Sequence, residues 1–110
     1  MTGEQQCRDA SPEECWRAIN EGGCRIVDVR TPAEFLEGHL ADAVNIDFFA
    51  PDFRTRIAAL DPGESFVVYC RRGIRGHKAM EMMREVGFRR VMNIAGGFES
   101  WCRSGLPVRR

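Results

Sequence analysis

The order of apolar and polar residues along the chain predicts strands that alternate with helices. The run at residues 66–69, FVVY, is apolar throughout and rich in β-formers, as expected for a strand that is covered on both faces of a parallel sheet. Less continuous runs predict three further strands at residues 24–29, 43–46 and 91–94. Turn-forming residues separate these runs from the segments with helical spacing.

The first two predicted helices each begin with a capping box. Ser11 and Thr31 are followed directly by proline and, at the third helical position, by Glu14 and Glu34. We expect the first helix to run to about residue 20 and the second to stop near Gly38. Later helices are predicted over residues 51–60, along the apolar positions Ala79, Met82, Met83 and Val86, and along Phe98, Trp101 and Cys102.

This alternation predicts the α/β class, with a parallel sheet, right-handed crossovers and helices on both faces. The sequence contains no repeat, low-complexity tract or linker, so we expect a single domain over residues 5–110. In such sheets, ligands bind beyond the carboxyl ends of the strands. Cys70 directly follows the most apolar predicted strand and is therefore expected at that edge.

Charge and composition argue against several classes of partner. Sixteen basic residues balance sixteen acidic ones, which speaks against nucleic acid and against a polybasic membrane-binding surface. The apolar runs are far shorter than the roughly 20 residues that a membrane-spanning helix needs, and the amino terminus has no apolar signal region. We therefore expect a cytoplasmic protein. The five cysteines are odd in number and form no C-x-x-C pair, so we expect reduced thiols and predict neither a metal nor a cofactor.

The segment over residues 70–75 is the strongest candidate for chemistry. It joins a predicted strand to a helix, so its backbone N–H groups and the helix dipole should converge on one point and favour an anion there. A cysteine at that point is favoured as the nucleophilic thiolate, and three arginines lie within the same six residues. The alternative is a small buried cysteine that only ends a strand. The candidates are Cys70 as the nucleophile and Arg71, Arg72, Gly73, Ile74 and Arg75 as the anion-binding loop.

Motifs spread over nearly the whole chain resemble those of the rhodanese family. They are Asp28-Val29-Arg30 with Pro32, Glu34 and Phe35; Gly38-His39-Leu40 with residues 43–46; the loop at residues 70–75; Gly96-Gly97-Phe98 with Trp101; and residues 105–108. Each motif alone is a weak signal, whereas the set is highly specific. The resemblance implies a five-stranded parallel sheet flanked by helices, and a sulfurtransferase whose loop cysteine carries a sulfane sulfur as a persulfide. The implied partners are a small donor such as thiosulfate and an acceptor that is cyanide or a thiol.

Two other functions stay open on this fold. Phosphatases and arsenate reductases resemble Cys-x5-Arg, whereas Cys70 and Arg75 form Cys-x4-Arg, a smaller loop that suits a lone sulfur. A persulfide carrier or regulatory module would use Cys70 with a protein donor or acceptor. The family's commonest pattern also has serine or threonine directly after the loop, where this chain has Gly76, so that position supplies no hydroxyl to the sulfur.

The three loop arginines are expected to differ in role. Side chains radiate outward when their amides point inward, so Arg72 is expected at the pocket mouth, where the charge of thiosulfate needs a partner. Arg75 ranks second for this role and Arg71 third, because both are candidates for pairing with acidic groups of the scaffold.

Three further residues are predicted to support the site rather than to react. Asp28 and Arg30 end a predicted strand near the same sheet edge, and we interpret them as an ion pair that fixes loops. The resemblance makes His39 structural. His77 lies on the helix beyond the loop, and its ring is not expected to reach Cys70. A second cysteine that resolves the persulfide as a disulfide stays an alternative.

Overall fold

A computed structural model describes residues 5–110, and within them the chain alternates between five strands and five helices. In chain order these are β1 (Gln6–Ala10), α1 (Pro12–Glu21), β2 (Cys24–Asp28), α2 (Pro32–Glu37), β3 (Val44–Asn45), α3 (Phe53–Ala58), β4 (Ser65–Tyr69), α4 (Ile74–Glu85), β5 (Arg90–Ile94) and α5 (Gly97–Arg103).

The strands form one sheet in the order β1-β5-β4-β2-β3, with every neighbouring pair parallel. The predicted α/β class and five-stranded parallel sheet are therefore confirmed. β4 is the central strand, paired with β2 on one side and β5 on the other. The carboxyl end of β4 is thus flanked by the ends of two other strands, which is where a doubly covered sheet presents a ligand site.

Helices cover both faces of the sheet, and each face has its own apolar core. Alternate residues of β4 point to opposite faces: Phe66 and Val68 belong to one buried cluster, and Val67 and Tyr69 to the other. The first cluster includes residues from α3 and α4, and the second includes residues from α1 and α5. This double cover explains why β4 is apolar at nearly every position.

Both predicted capping boxes are present. The Ser11 hydroxyl accepts a hydrogen bond from the N–H of Glu14 at 3.1 Å, and the Glu14 carboxylate accepts one from the N–H of Ser11 at 3.1 Å. Thr31 and Glu34 make the same reciprocal pair at 3.3 and 2.9 Å. Each box supplies hydrogen-bond partners to N–H groups that the first helical turn leaves free.

Strand β1 was not predicted from the pattern of apolar residues. It is an edge strand of mostly exposed polar residues, in which only Ala10 is buried. Backbone hydrogen bonds with β5 hold the strand in the sheet. Such bonds do not require particular side chains, so the sequence pattern does not predict them.

The predicted boundaries of two other elements were wrong. The helix expected over residues 51–60 begins only at Phe53. The Asp47 carboxylate accepts a hydrogen bond from the N–H of Phe49 at 3.0 Å. Turns closed by the N–H groups of Ala50 and Phe53 follow, so the helix begins only after them. Strand β3 covers two residues instead of the expected four. No helix within residues 5–110 is long and apolar enough to cross a membrane.

Candidate active site

Cys70 lies at the carboxyl end of the central strand, directly after β4. Its side chain is 1% exposed, and it forms part of the wall of an open cavity of about 270 Å³. The cavity is lined by Cys70, Arg71, Arg72, Ile74 and Arg75. A larger cavity, of about 430 Å³, lies among Trp16, Trp101 and the carboxy-terminal segment, and none of the loop residues lines it. The smaller cavity is the candidate site because it contains the thiol.

The loop after β4 turns one of its amides toward the sulfur of Cys70. The N–H of Gly73 donates to the Cys70 Sγ at 3.1 Å. Gly73 has a φ of +109°, a backbone conformation that glycine adopts without strain. Helix α4 begins at Ile74, so the last two residues of the predicted loop form the first helical turn instead. A thiolate or a persulfide sulfur near this turn is favoured by both the N–H group and the helix dipole.

The start of α5 supports the loop from behind. The N–H of Phe98 donates to the carbonyl of Cys70 at 2.8 Å, and the N–H of Glu99 donates to the carbonyl of Arg71 at 3.0 Å. A Cβ atom on Gly97 would lie 2.5 Å from the carbonyl carbon and oxygen of Arg71, and the φ of Gly97 is +68°. Glycine is required at this position because the two backbones approach so closely.

Glu34 ties two of the loop arginines to helix α2. Its carboxylate accepts from Arg75 Nη1 at 2.9 Å and Nη2 at 3.2 Å, and from Arg71 Nε at 3.1 Å. These bonds, led by those from Arg75, lower the pKa of Glu34 from 4.5 to about 2. The Arg75 guanidinium also lies 5.6 Å from the ring centroid of Phe49. Arg71 and Arg75 are therefore engaged by the scaffold.

Arg72 is the most exposed of the loop arginines. Its side chain is 74% exposed, and its Nε lies 3.4 Å from the Glu99 carboxylate. A contact this long between exposed groups is weak, so the guanidinium is free to turn toward an anion in the cavity.

Asp28 and Arg30 form a buried ion pair at the end of β2. The Arg30 side chain is 2% exposed and that of Asp28 is 0% exposed, with Nη2 and Oδ2 2.7 Å apart. Arg30 also donates to the carbonyl of Gly38 at 2.6 Å, and its guanidinium carbon lies 4.3 Å from the ring centroid of Phe98. The pair therefore connects the β2 end to the segment after α2 and to α5. Within residues 5–110, none of the hydrogen bonds of this pair reaches the Cys70 thiol.

The two histidines are held by scaffold contacts. The Nδ1 of His39 donates to the carbonyl of Phe35 at 3.0 Å, its ring stacks on that of Phe35, and its backbone pairs with Arg109. The Nδ1 of His77 lies 3.0 Å from the Asp9 carboxylate on β1. The structural role of His39 stays a prediction, and these contacts are compatible with it.

Three of the other thiols are less suited to nucleophilic chemistry because burial disfavours their thiolate forms. Burial raises the pKa of the Cys15 thiol to about 12, and burial also raises the pKa of Cys7 and Cys24. All five cysteines are free. Among residues 5–110, no group of His, Cys, Asp and Glu side chains is arranged to hold a metal ion.

Some residues around the loop were not identified from the sequence. Glu34 was recognised as a helix cap, but its second role as partner of Arg71 and Arg75 depends on β2 and β4 being neighbours. Asp9 and Asn93 come together through the pairing of β1 with β5, and Asn93 in turn donates to the loop at the Gly73 carbonyl. The signal for Asn93 was a polar residue within an otherwise apolar predicted strand at residues 91–94.

The sequence profile of the rhodanese-like domain matches residues 11–104. The chain therefore belongs to the rhodanese family, as the motifs suggested, and it is a transferase of the rhodanese type.

Named relatives and a solved structure agree with this assignment. The chain is 35% identical over 83 residues to a sulfurtransferase of Allochromatium vinosum, a match that covers 76% of each chain. It is 36% identical over 99 residues to the thiosulfate sulfurtransferase GlpE of Pseudomonas aeruginosa, which covers 89% of this chain and 86% of that one. The crystal structure of a rhodanese-related protein from Thermoplasma volcanium is similar with a TM-score of 0.82 at 26% identity, and covers 93% of this chain and 97% of that one.

Proposed function

We propose that this chain moves a sulfane sulfur from a small donor such as thiosulfate to cyanide or a thiol, through a persulfide on Cys70. The observation that carries the proposal is the Cys70 thiol in the wall of an open cavity, with the Gly73 N–H donated to its sulfur at 3.1 Å. The names of the relatives support thiosulfate as the donor. We further propose that residues 5–110 act as one domain, and the five free thiols support a reducing, cytoplasmic location.

The first step transfers sulfur to the enzyme. The Cys70 thiolate attacks the outer sulfur of thiosulfate, the bond between the two donor sulfurs breaks, and sulfite leaves with that electron pair. The product is a persulfide whose terminal sulfur carries the negative charge. The Gly73 N–H, which donates to Cys70 Sγ, and the start of α4 lie beside that charge and favour it. By analogy, one donor to the oxyanion contributes about 2.7–4 kcal/mol in acyl-transfer enzymes.

The second step returns the enzyme to its starting form. Cyanide attacks the terminal sulfur, thiocyanate forms, and the Cys70 thiolate leaves with the electrons of the broken S–S bond. No electron donor or acceptor outside the two substrates is needed. A covalent intermediate between two half-reactions predicts ping-pong kinetics.

The loop argues against phosphate as a substrate. Cys70 and Arg75 enclose four residues, and the Arg75 guanidinium is engaged by both Glu34 oxygens. A phosphate would therefore meet a short loop in which the Arg75 guanidinium is already paired with Glu34.

A persulfide carrier that serves a protein partner is the second candidate. Ile74 lines the cavity and is 67% exposed, and Phe49, next to Arg75, is 68% exposed. Large exposed apolar side chains beside a reactive group are typical of protein contact surfaces.

Steady-state kinetics separate the two candidates. We expect purified protein to turn over thiosulfate and cyanide to thiocyanate with ping-pong kinetics, and Cys70→Ser to be inactive. Cys102→Ser, which changes a half-buried thiol on α5, is the matched control and should stay active. A single loading of sulfur without repeated turnover would favour the carrier. Full activity in Cys70→Ser would refute both.

A further inference from the structure

Asn93 on β5 is a buried polar residue whose side chain reaches the Cys70 loop. It is 1% exposed, and its Nδ2 donates to the carbonyl of Gly73 at 3.2 Å and to the Asp9 carboxylate at 2.9 Å. Both hydrogens of the carboxamide are therefore used. If the carboxamide were rotated by 180°, its oxygen would face the Gly73 carbonyl oxygen and the Asp9 carboxylate oxygen. These two acceptors therefore fix the orientation of the amide.

The oxygen of the same carboxamide has no hydrogen-bond partner. Asn93 Oδ1 is buried, and leaving a buried acceptor unpaired costs free energy. It lies beside Gly76, where a Cβ atom would be only 2.2 Å away from it and 3.3 Å from the backbone nitrogen of Cys70. Asn93 and Gly76 therefore form a matched pair: the carboxamide occupies the space that a side chain at residue 76 would need.

Asp9 holds the carboxamide from the other side. Its Oδ1 accepts from Asn93 and lies 3.0 Å from His77 Nδ1. Burial alone would raise the pKa of Asp9, but the bonds from Asn93 and His77 lower it overall, so the carboxylate is charged at neutral pH. A charged acceptor makes the stronger hydrogen bond, so the bond to Asp9 offsets part of the free energy that the unpaired Oδ1 costs.

These contacts join at Gly73. Its carbonyl accepts from Asn93, and its N–H donates to the sulfur of Cys70. Its φ of +109° is open to other values, because glycine has no Cβ to restrict it. The N–H of His77 also donates to this carbonyl at 3.0 Å, as the first backbone bond of α4. The bond from Asn93 adds a second restraint from β5, and the two bonds together keep the amide aimed at the sulfur.

We propose that Asn93, oriented by Asp9, is a positioning residue that fixes Gly73 so that its amide donates to the sulfur of Cys70. The proposal rests on the proposed function for its catalytic consequence, but not for its geometry. It explains why this chain has glycine at position 76, where a larger residue would displace the carboxamide.

The test measures the reactivity of the Cys70 thiol without any sulfur transfer. Alkylation at a fixed, mildly acidic pH is followed by mass spectrometry on the peptide that contains Cys70. Asn93→Ala removes the bond to the Gly73 carbonyl, so the Gly73 N–H should donate less well to the sulfur and the reaction should slow several-fold. Asp9→Ala should slow it in the same direction, and because Asp9 lies on an edge strand this variant should fold even if Asn93→Ala does not. Met92→Ala, which removes a partly buried side chain from the other face of β5, should lower stability without slowing alkylation.

A second measurement tests the matched pair. Gly76→Ala alone should unfold at lower urea concentration, because its Cβ overlaps Asn93 Oδ1. Adding Asn93→Ala to Gly76→Ala should recover stability, so that the double variant is more stable than the Gly76→Ala single variant. In turnover with thiosulfate, Asn93→Ala should lower kcat more than it changes KM.

The outcomes separate this proposal from the proposed function. Unchanged Cys70 alkylation in Asn93→Ala and Asp9→Ala, or in Asp9→Ala if the first variant does not fold, would overturn the positioning role, whatever the substrate is. A double variant no more stable than Gly76→Ala would overturn the matched pair. Slower alkylation in a protein that never transfers sulfur would support the positioning role and contradict the proposed function instead.

Discussion

The carboxylate of Glu34 controls the charge around the Cys70 loop, and its removal gives the sharpest stability prediction. Glu34→Gln keeps the size of the side chain and removes the negative charge that Arg75 and Arg71 share. The amide of glutamine accepts fewer hydrogen bonds than a carboxylate, and its NH₂ group would face a guanidinium. We therefore expect a less stable protein in which the two arginines are partly released.

The size and pH dependence of the effect follow from the pKa of Glu34. It falls from 4.5 to about 2 on folding, chiefly because of the Arg75 bonds. A lowered pKa means that the folded state favours the charged form, so the stabilisation is fully present above pH 4.5 and is lost as the pH falls toward 2. A tenfold change in acid strength corresponds to about 1.4 kcal/mol, so the carboxylate contributes at most about 3 kcal/mol. The Glu34 side chain is 18% exposed, and solvent screening should reduce this contribution toward about 2 kcal/mol.

Urea unfolding of the wild type and Glu34→Gln from neutral pH to about pH 3 tests this directly. We expect the wild type to be more stable at neutral pH and the two curves to converge on acidification. Glu37→Gln is the matched control, because Glu37 lies on the same helix, is 73% exposed and approaches Arg71 only at 3.9 Å. Its curve should follow the wild type. Equal stability of Glu34→Gln and wild type at neutral pH, or a difference near pH 3 as large as the one at neutral pH, would refute the reasoning.

Three further predictions concern the loop and its support. Arg72→Ala should raise the KM for thiosulfate several-fold, with a smaller change in kcat and a weaker effect at high salt, since an exposed guanidinium acts on donor binding; an unchanged KM would contradict this. Gly97→Ala should cost more than about 2 kcal/mol in urea unfolding, because the new Cβ meets the backbone of Arg71. Gly105→Ala, with a similar positive φ but open space, should cost only about 1 kcal/mol, and equal losses would refute the close-approach argument. Aryl phosphates should not be hydrolysed, and hydrolysis that depends on Cys70 would overturn the loop-length argument.

The sequence predicted the parts of the structure that depend on local order. The capping boxes at Ser11 and Thr31 mark the starts of α1 and α2, and the apolar run of β4 identifies the central strand. The position of Cys70 could be predicted from that strand, because ligands bind at the carboxyl ends of the strands in a parallel sheet and Cys70 directly follows β4.

The remaining features depend on contacts between distant parts of the chain. Strand β1 is polar and is held by backbone bonds to β5, so its residues carry no periodic signal. Glu34 meets Arg75 across 41 positions, and Asn93 meets Asp9 across 84. Such pairs are set by strand order, which a single sequence does not reveal for short strands. The wrong start of α3 has a local cause, since the side-chain turn at Asp47 competes with the helix.

The claim that Cys70 is the sulfur carrier is tested most directly by intact-mass measurement after treatment with thiosulfate. We predict one added sulfur on the wild-type protein, its removal by cyanide, and its absence in Cys70→Ser. Peptide mapping should locate the sulfur at residue 70 and leave Cys15, whose buried thiol has a raised pKa, unmodified. An added sulfur that persists in Cys70→Ser, or that maps to another cysteine, would contradict the claim.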